Sequence, residues 1–145
     1  MALTIGPSEY AIMQQHVLRC LPEEACGLLG GLEQLITVAI PITNRLHSPT
    51  RFVMEPLEML NAFRWLDEHG LNLLGIYHSH PAGPEHPSPT DLKELSFWKA
   101  AILIWSPAAS SWQARAFYLQ SNGYEVVPIL WLSDTAQPPE GSGVN

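Results

Sequence analysis

The stretch LNLLGIYHSHPAGPEHPSPTDL, residues 71–92, constrains the architecture of this chain more than any other. An apolar run of strand length ends on His78-x-His80, a spacer carrying Pro81, Pro84 and Pro87 follows, and SPTD then reads as a helix start. Side chains two apart on a strand leave the same face, so the two imidazoles project together from the strand's end. Ser88 fits an N-cap, with Pro89, Thr90 and Asp91 in the first helical positions, which puts Ser88 and Asp91 on one face. An apolar strand, a stiff loop and a capped helix succeed one another here, the connection expected of an α/β chain.

The rest of the sequence alternates in the same way. PSEYAIMQQHVLRCL places Tyr10, Met13, Val17 and Leu21 on one helical face, with Ser8 available as a cap. EACGLLGG and QLITVAIPI read as two strands, with a turn expected near Gly30 and Gly31. EPLEMLNAFRWLDEHG is a helix with Pro56 in its first turn, Leu57, Leu60, Phe63 and Leu66 inward, and Gly70 as its stop. AAILIW, WQARAFYL and YEVVPILWL read as strands, the last two joined at QSNG. A single domain over residues 1–132 and a frayed tail over 133–145 are expected, because SDTAQPPEGSGVN has no apolar period.

Hydrophobic residues make up 46% of the 145 and charged residues 14%, enough apolar material for a core. The formal charge of −7 argues against nucleic acid and anionic membranes as partners and favours a neutral or basic one. No apolar run approaches the roughly 20 residues of a membrane span and MALTIGPSEY lacks the character of a signal peptide, so a cytoplasmic location is expected. Cys20 and Cys26 are too few for a disulfide framework and are read as thiols.

His78, His80 and Asp91 together have the composition of a catalytic zinc site, with three protein ligands and a fourth position open to water. Taken alone, SPTD is equally a good helix start with no further role, but that reading leaves His-x-His unexplained. A metal hydrolase also needs a carboxylate that is not a ligand to move the proton of the water. Glu85 in the spacer and Glu23 or Glu24 ahead of the apolar strand are candidates, and a carboxylate heading a buried strand is the better suited. His86 reads as a solvated loop residue, and His16, His47 and His69 fall on a helix, a loop and a helix end. Asn44 and Ser48, in TNRLHSPTRF, are expected beside a groove that receives an extended peptide.

EEACGLLGG followed by GIYHSHPAGPEHPSPTD resembles the JAMM motif of the MPN domain metallopeptidases: a glutamate, then His-x-His, seven residues, serine, two residues and aspartate. The resemblance spans the domain to about Leu132 and implies an α/β fold with a curved mixed sheet flanked by helices, similar to the cytidine deaminase architecture. It implies Zn²⁺ on His78, His80 and Asp91, one ion per chain. Ser88 would bond the water or the oxyanion, and Glu24 would act as general acid and base. The bacterial pattern, with the glutamate two residues before Cys-Gly, selects Glu24 over the adjacent Glu23.

The chain is compact between Asp91 and Ala101, without the additional segments of relatives that cut polyubiquitin. It therefore resembles prokaryotic members that act at the C-terminus of a small ubiquitin-like or sulfur-carrier protein, cutting a peptide or isopeptide bond. Some members pair, which leaves a homodimer open. A non-catalytic MPN scaffold is the alternative, as is an isopeptidase that removes ubiquitin-like modifiers from conjugates. RadC-like chains usually carry a helical DNA-binding portion that is absent here, and a zinc deaminase would need His-x-Glu and Pro-Cys-x-x-Cys, neither of which occurs.

Overall fold

The computed structural model describes residues 2–133. Strand β1 (Leu3–Ile5) leads into helix α1 (Pro7–Cys20), then β2 (Cys26–Leu32), β3 (Leu35–Ile42), α2 (Pro56–Glu68) and β4 (Asn72–Ser79). Helix α3 (Pro89–Leu95) and strands β5 (Ala101–Pro107), β6 (Trp112–Gln120), β7 (Gly123–Val127) and β8 (Ile129–Trp131) complete it. The eight strands form one curved mixed sheet in the order β7-β6-β5-β4-β2-β3-β1-β8. β4 runs antiparallel to β2 and parallel to β5.

Alternation along the central strands divides the core in two. Leu29, Tyr77, Leu103 and Trp105 face α1 with Met13 and Val17, while Leu28, Ile76, Ile102 and Ile104 face the side carrying α2 and α3, with Ala62 and Leu95. His78 and His80 have the parity of Ile76, so both leave β4 toward the α2 and α3 side. Tyr77 lies on the other side, where its hydroxyl meets His16 Nδ1 at 2.7 Å. Its ring crosses Gly27 on β2: a Cβ there would fall 2.2 Å from the ring, so only glycine permits this approach.

Several expectations need correction. Gly30 and Gly31 do not form the turn; they lie within β2 at a β-bulge, and the chain reverses at Glu33, whose φ is 57°. In α2 the inward residues are Met59, Ala62, Phe63 and Leu66, and Leu57 and Leu60 are exposed. Small Ala62 lets the helix lie close to the sheet, which the leucine face would not. Helix α1 has Gly6 rather than Ser8 at its N-cap, and Leu21 lies past its end, exposed. YEVVPILWL is broken at Pro128 into β7 and β8, which occupy opposite edges of the sheet. β1 carried no sequence signal of its own. It is a three-residue strand set between β3 and β8. The expected tail lies outside the described residues except for Ser133.

Candidate metal centre

His78 reaches the site from the end of β4 and His80 from one residue beyond it, while Asp91 comes from the first turn of α3. That turn is built by a capping box: Ser88 Oγ accepts the Asp91 N–H at 3.0 Å, and the Ser88 N–H donates to Asp91 Oδ2 at 2.9 Å. The helix-start reading and the site reading of SPTD therefore describe the same geometry. Asp91 Oδ2 lies 3.2 Å from His78 Nε2 and 3.0 Å from His80 Nε2, and the two Nε2 atoms are 3.1 Å apart. All three residues are buried.

The hydrogen bonding fixes what this point needs. His80 Nδ1 lies 2.8 Å from the Pro84 carbonyl, which can only accept, so Nδ1 carries the proton and Nε2 of the neutral ring presents a lone pair. That lone pair faces the carboxylate oxygen of Asp91, itself an acceptor. Two such acceptors at 3.0 Å are held together by a shared positive charge, either a metal ion or, without one, a proton on Nε2 that donates to Asp91. Burial pushes the Asp91 carboxyl up, but the bonds from His78 and His80 outweigh it and hold the group well below the carboxylate range. Burial lowers His80 but is outweighed by Asp91 and Pro84, for a net upward displacement, while in His78 burial wins and the displacement is downward. The donor set, two imidazoles and one carboxylate with ligand atoms within 4.8 Å of one another, fits a divalent metal. The Pro84 carbonyl on Nδ1 is the outer partner that orients such a ligand. His78 Nδ1 is buried with no hydrogen-bond partner among the described residues, and its ring lies against Phe52, 4.7 Å between centroids.

The two candidate glutamates separate cleanly. Cys26 pairs with His78 across β2 and β4, and the Ala25 carbonyl accepts the Ser79 N–H at 3.1 Å, so Glu24 stands opposite His80 on the metal-site face. It is 4% exposed, and burial raises its carboxyl to about 8, with His80 opposing and Asp91 adding to the rise. Glu23 turns out to the surface, where it meets His47 at 3.1 Å. Glu85 lies outside the site, tied to Gln113 at 2.8 Å and Arg115 at 3.3 Å on β6. His86 is exposed and stacks on Tyr124, and His69 Nδ1 lies 2.8 Å from the Trp65 carbonyl at the end of α2. Both cysteines are free thiols.

Asn44 and Ser48 differ from expectation. Asn44 is buried rather than at a groove and bonds the backbone of Glu24 and of the loop that follows it. The Ser48 carbonyl takes the Glu24 N–H at 2.8 Å. An apolar cleft lies between that loop and α3, lined by Phe52, Met54, Met59, Ile76, Leu95 and Trp98, with the Arg51–Glu94 ion pair at its rim. Phe52, shared between the cleft and His78, was not anticipated. A phenylalanine in an irregular segment gives no periodic signal.

A curved mixed sheet that delivers His-x-His and a capping aspartate to one point defines a JAMM-type MPN hydrolase. The chain belongs to the family described as prokaryotic homologs of the JAB domain, which it matches over residues 7–118. It is 40% identical over 116 residues to the "Probable TtuB-protein conjugate cleaving protease" of Thermus thermophilus, covering 79% of this chain and 74% of that one. The desampylase of Pyrococcus furiosus is 39% identical over 100 residues, 64% of this chain and 71% of the relative. The CysO-cysteine peptidase of Mycobacterium tuberculosis is 39% identical over 83 residues, 56% of this chain and 57% of the relative. Among solved structures, protein DSY2949 from Desulfitobacterium hafniense superposes with a TM-score of 0.82 at 30% identity, covering 92% of this chain and 95% of its own. Among the described residues no helix is long and apolar enough to cross a membrane.

Proposed function

We propose that this chain is a zinc metallopeptidase that hydrolyses the amide bond following the C-terminus of a small ubiquitin-like or sulfur-carrier protein, whether the amine released is a short extension or a conjugate's lysine. The observation that carries the reading is the convergence of His78 Nε2, His80 Nε2 and Asp91 Oδ2 at 3.0–3.2 Å with a buried carboxylate, Glu24, across the strand pair. When bound, zinc lowers the pKa of a water to ~7 and polarises a carbonyl oxygen. His78, His80 and Asp91 would hold the ion. Glu24, little solvated and opposite His80, takes the water's proton and returns it to the leaving amine. Ser88 keeps its hydroxyl proton while its oxygen accepts from Asp91 N–H, and its O–H donates a hydrogen bond to the substrate oxygen as charge develops there.

The substrate class is supported by the relatives' names, which concern TtuB conjugates, desampylation and CysO-cysteine. It is also supported by the apolar cleft, which shares Phe52 with the site and suits an extended tail whose apolar side chain precedes small residues at the scissile bond. A scaffold without activity has no use for a complete ligand set and a raised carboxyl beside it. We further expect a cytoplasmic protein acting away from nucleic acid and membranes, in keeping with the charge of −7.

The test is mass spectrometry of two substrates, a ubiquitin-like carrier with a short C-terminal extension and the same carrier joined to a lysine. Each is incubated with zinc-loaded enzyme and with Glu24→Gln. Chelator-sensitive cleavage of either after its C-terminal glycine supports the reading, and the preferred substrate identifies the leaving amine. Two intact substrates would return the scaffold reading.

A further inference from the structure

Glu24 has an unusual backbone position for a residue that must be held still. The ladders of β2 with β4 and with β3 both begin at Cys26, so the regular sheet pairing does not reach Glu24. Its two main-chain groups are held instead by the segment between β3 and α2. The Glu24 N–H donates to the Ser48 carbonyl at 2.8 Å, and the Glu24 carbonyl accepts from Asn44 Nδ2 at 3.0 Å. Asn44 Nδ2 also donates to the Arg51 carbonyl at 3.0 Å, with the Ser48 carbonyl at 3.4 Å beside it. Its Oδ1 accepts the N–H of Leu46 at 3.1 Å and of Val53 at 3.2 Å.

The amide is thus used at both ends, and its orientation is fixed, since a flip would set its NH₂ against two backbone N–H groups. At 5% exposure water cannot replace these bonds. Asn44 also pairs with Met54 in an isolated antiparallel bridge. The segment it closes therefore returns on itself as an arch, and the far limb of that arch carries Phe52 against His78 and forms one wall of the cleft. One side chain joins the residue opposite His80 to the wall that substrate would meet.

We infer that Asn44 is a positioning residue, which locks the backbone of Glu24 to the 45–53 arch so that the carboxylate and the cleft wall keep a fixed relation. This rests on the reading of Glu24 as the acid and base of the reaction. No shorter or purely accepting side chain reproduces the lock. Serine cannot span the arch, and aspartate keeps an acceptor for Leu46 and Val53 while turning a second carboxylate oxygen on the carbonyls of Glu24 and Arg51.

The test is a double-mutant cycle of Asn44→Asp and Glu24→Gln on the extended carrier protein, with zinc affinity measured by chelator competition in all four proteins. Asn44→Asp is expected to lower kcat about tenfold or more, as misplaced catalytic groups do, with KM altered far less and zinc affinity within about threefold of wild type. In the Glu24→Gln background the same change is expected to alter residual turnover less than about twofold, because its effect passes through Glu24. Equal losses in both backgrounds, or losses that follow loss of zinc, would overturn the inference. A fully active Glu24→Gln would instead remove the reading of Glu24, a result visible without any Asn44 variant. Native-state amide exchange of the wild type gives a second arm that needs no substitution. The Glu24 and Val53 amides should open together with one protection factor, and independent opening would mean that no lock exists.

Discussion

Glu24→Gln is expected to inactivate the enzyme and at the same time to stabilise its metal-free form. Glu24 is 4% exposed, and its carboxyl is raised from the ordinary 4.5 to about 8, chiefly by burial, with His80 opposing and Asp91 adding. A carboxyl whose pKa is raised on folding favours the fold while protonated. That contribution is complete below pH 4.5 and is lost as pH rises toward 8, because the folded chain holds a proton that the unfolded chain has released. At 1.36 kcal/mol per pH unit the whole interval corresponds to ~5 kcal/mol. Relaxation of the surroundings around the charge reduces this to ~2–3 kcal/mol. Glutamine has the same shape and does not titrate, so the variant's advantage should be small at pH 4.5, grow through pH 6 and 7, and level off above pH 8. Urea melts of both proteins in chelator at four pH values measure it. A stability difference that is flat with pH, or a variant less stable than wild type at pH 8, would refute the reasoning that Glu24 is held against its desolvation cost for the sake of chemistry.

Glu23→Gln should retain turnover within about twofold, since Glu23 faces solvent with His47 as its partner, and parallel assays with Glu24→Gln read this directly. Gly27→Ala should cost ~1–3 kcal/mol in a denaturant melt, because its Cβ would fall 2.2 Å from a fully buried Tyr77 ring whose hydroxyl is bonded to His16. A loss below a few tenths would mean that β2 and β4 can separate there. His16 is lowered to about 4, first by burial and then by Arg19, so between pH 6.5 and 4 the unfolded chain binds a proton that the folded chain refuses. Wild type should therefore lose ~1–3 kcal/mol more than His16→Gln when pH falls from 7 to 4.

What the sequence revealed and what it hid follow from range. His78 and His80 were legible because a strand's period of two is local, and Ser88 with Asp91 because a capping box spans four residues. Glu24 over Glu23 is also a matter of parity, but it becomes physical only through the register of β2 on β4, which pairs Cys26 with His78, 52 residues away. The face of α2 was misjudged because Leu57, Leu60, Phe63 and Leu66 and the alternative Met59, Ala62, Phe63 and Leu66 both satisfy helical spacing. Only the sheet's proximity favours the face with alanine. Glycines at 30 and 31 look like a turn, yet here they accommodate a bulge. β1 and β8 are three-residue strands that exist through pairing alone, β1 between β3 and β8, and β8 on β1 at the sheet's edge. The role of Asn44 was hidden for the same reason: TNRLHSP shows a residue fond of turns, and nothing local shows that the turn closes onto Glu24.

Zinc is expected on His78, His80 and Asp91. X-ray absorption at the zinc edge of the metal-loaded protein tests it most directly. The expected result is about one zinc per chain, bound only by nitrogen and oxygen at ~2.0–2.2 Å with two imidazole signatures, and loss of that signal in the His78→Ala/His80→Ala double variant. A sulfur shell at ~2.3 Å, which would bring in Cys20 or Cys26, or full zinc occupancy in the double variant, would contradict it.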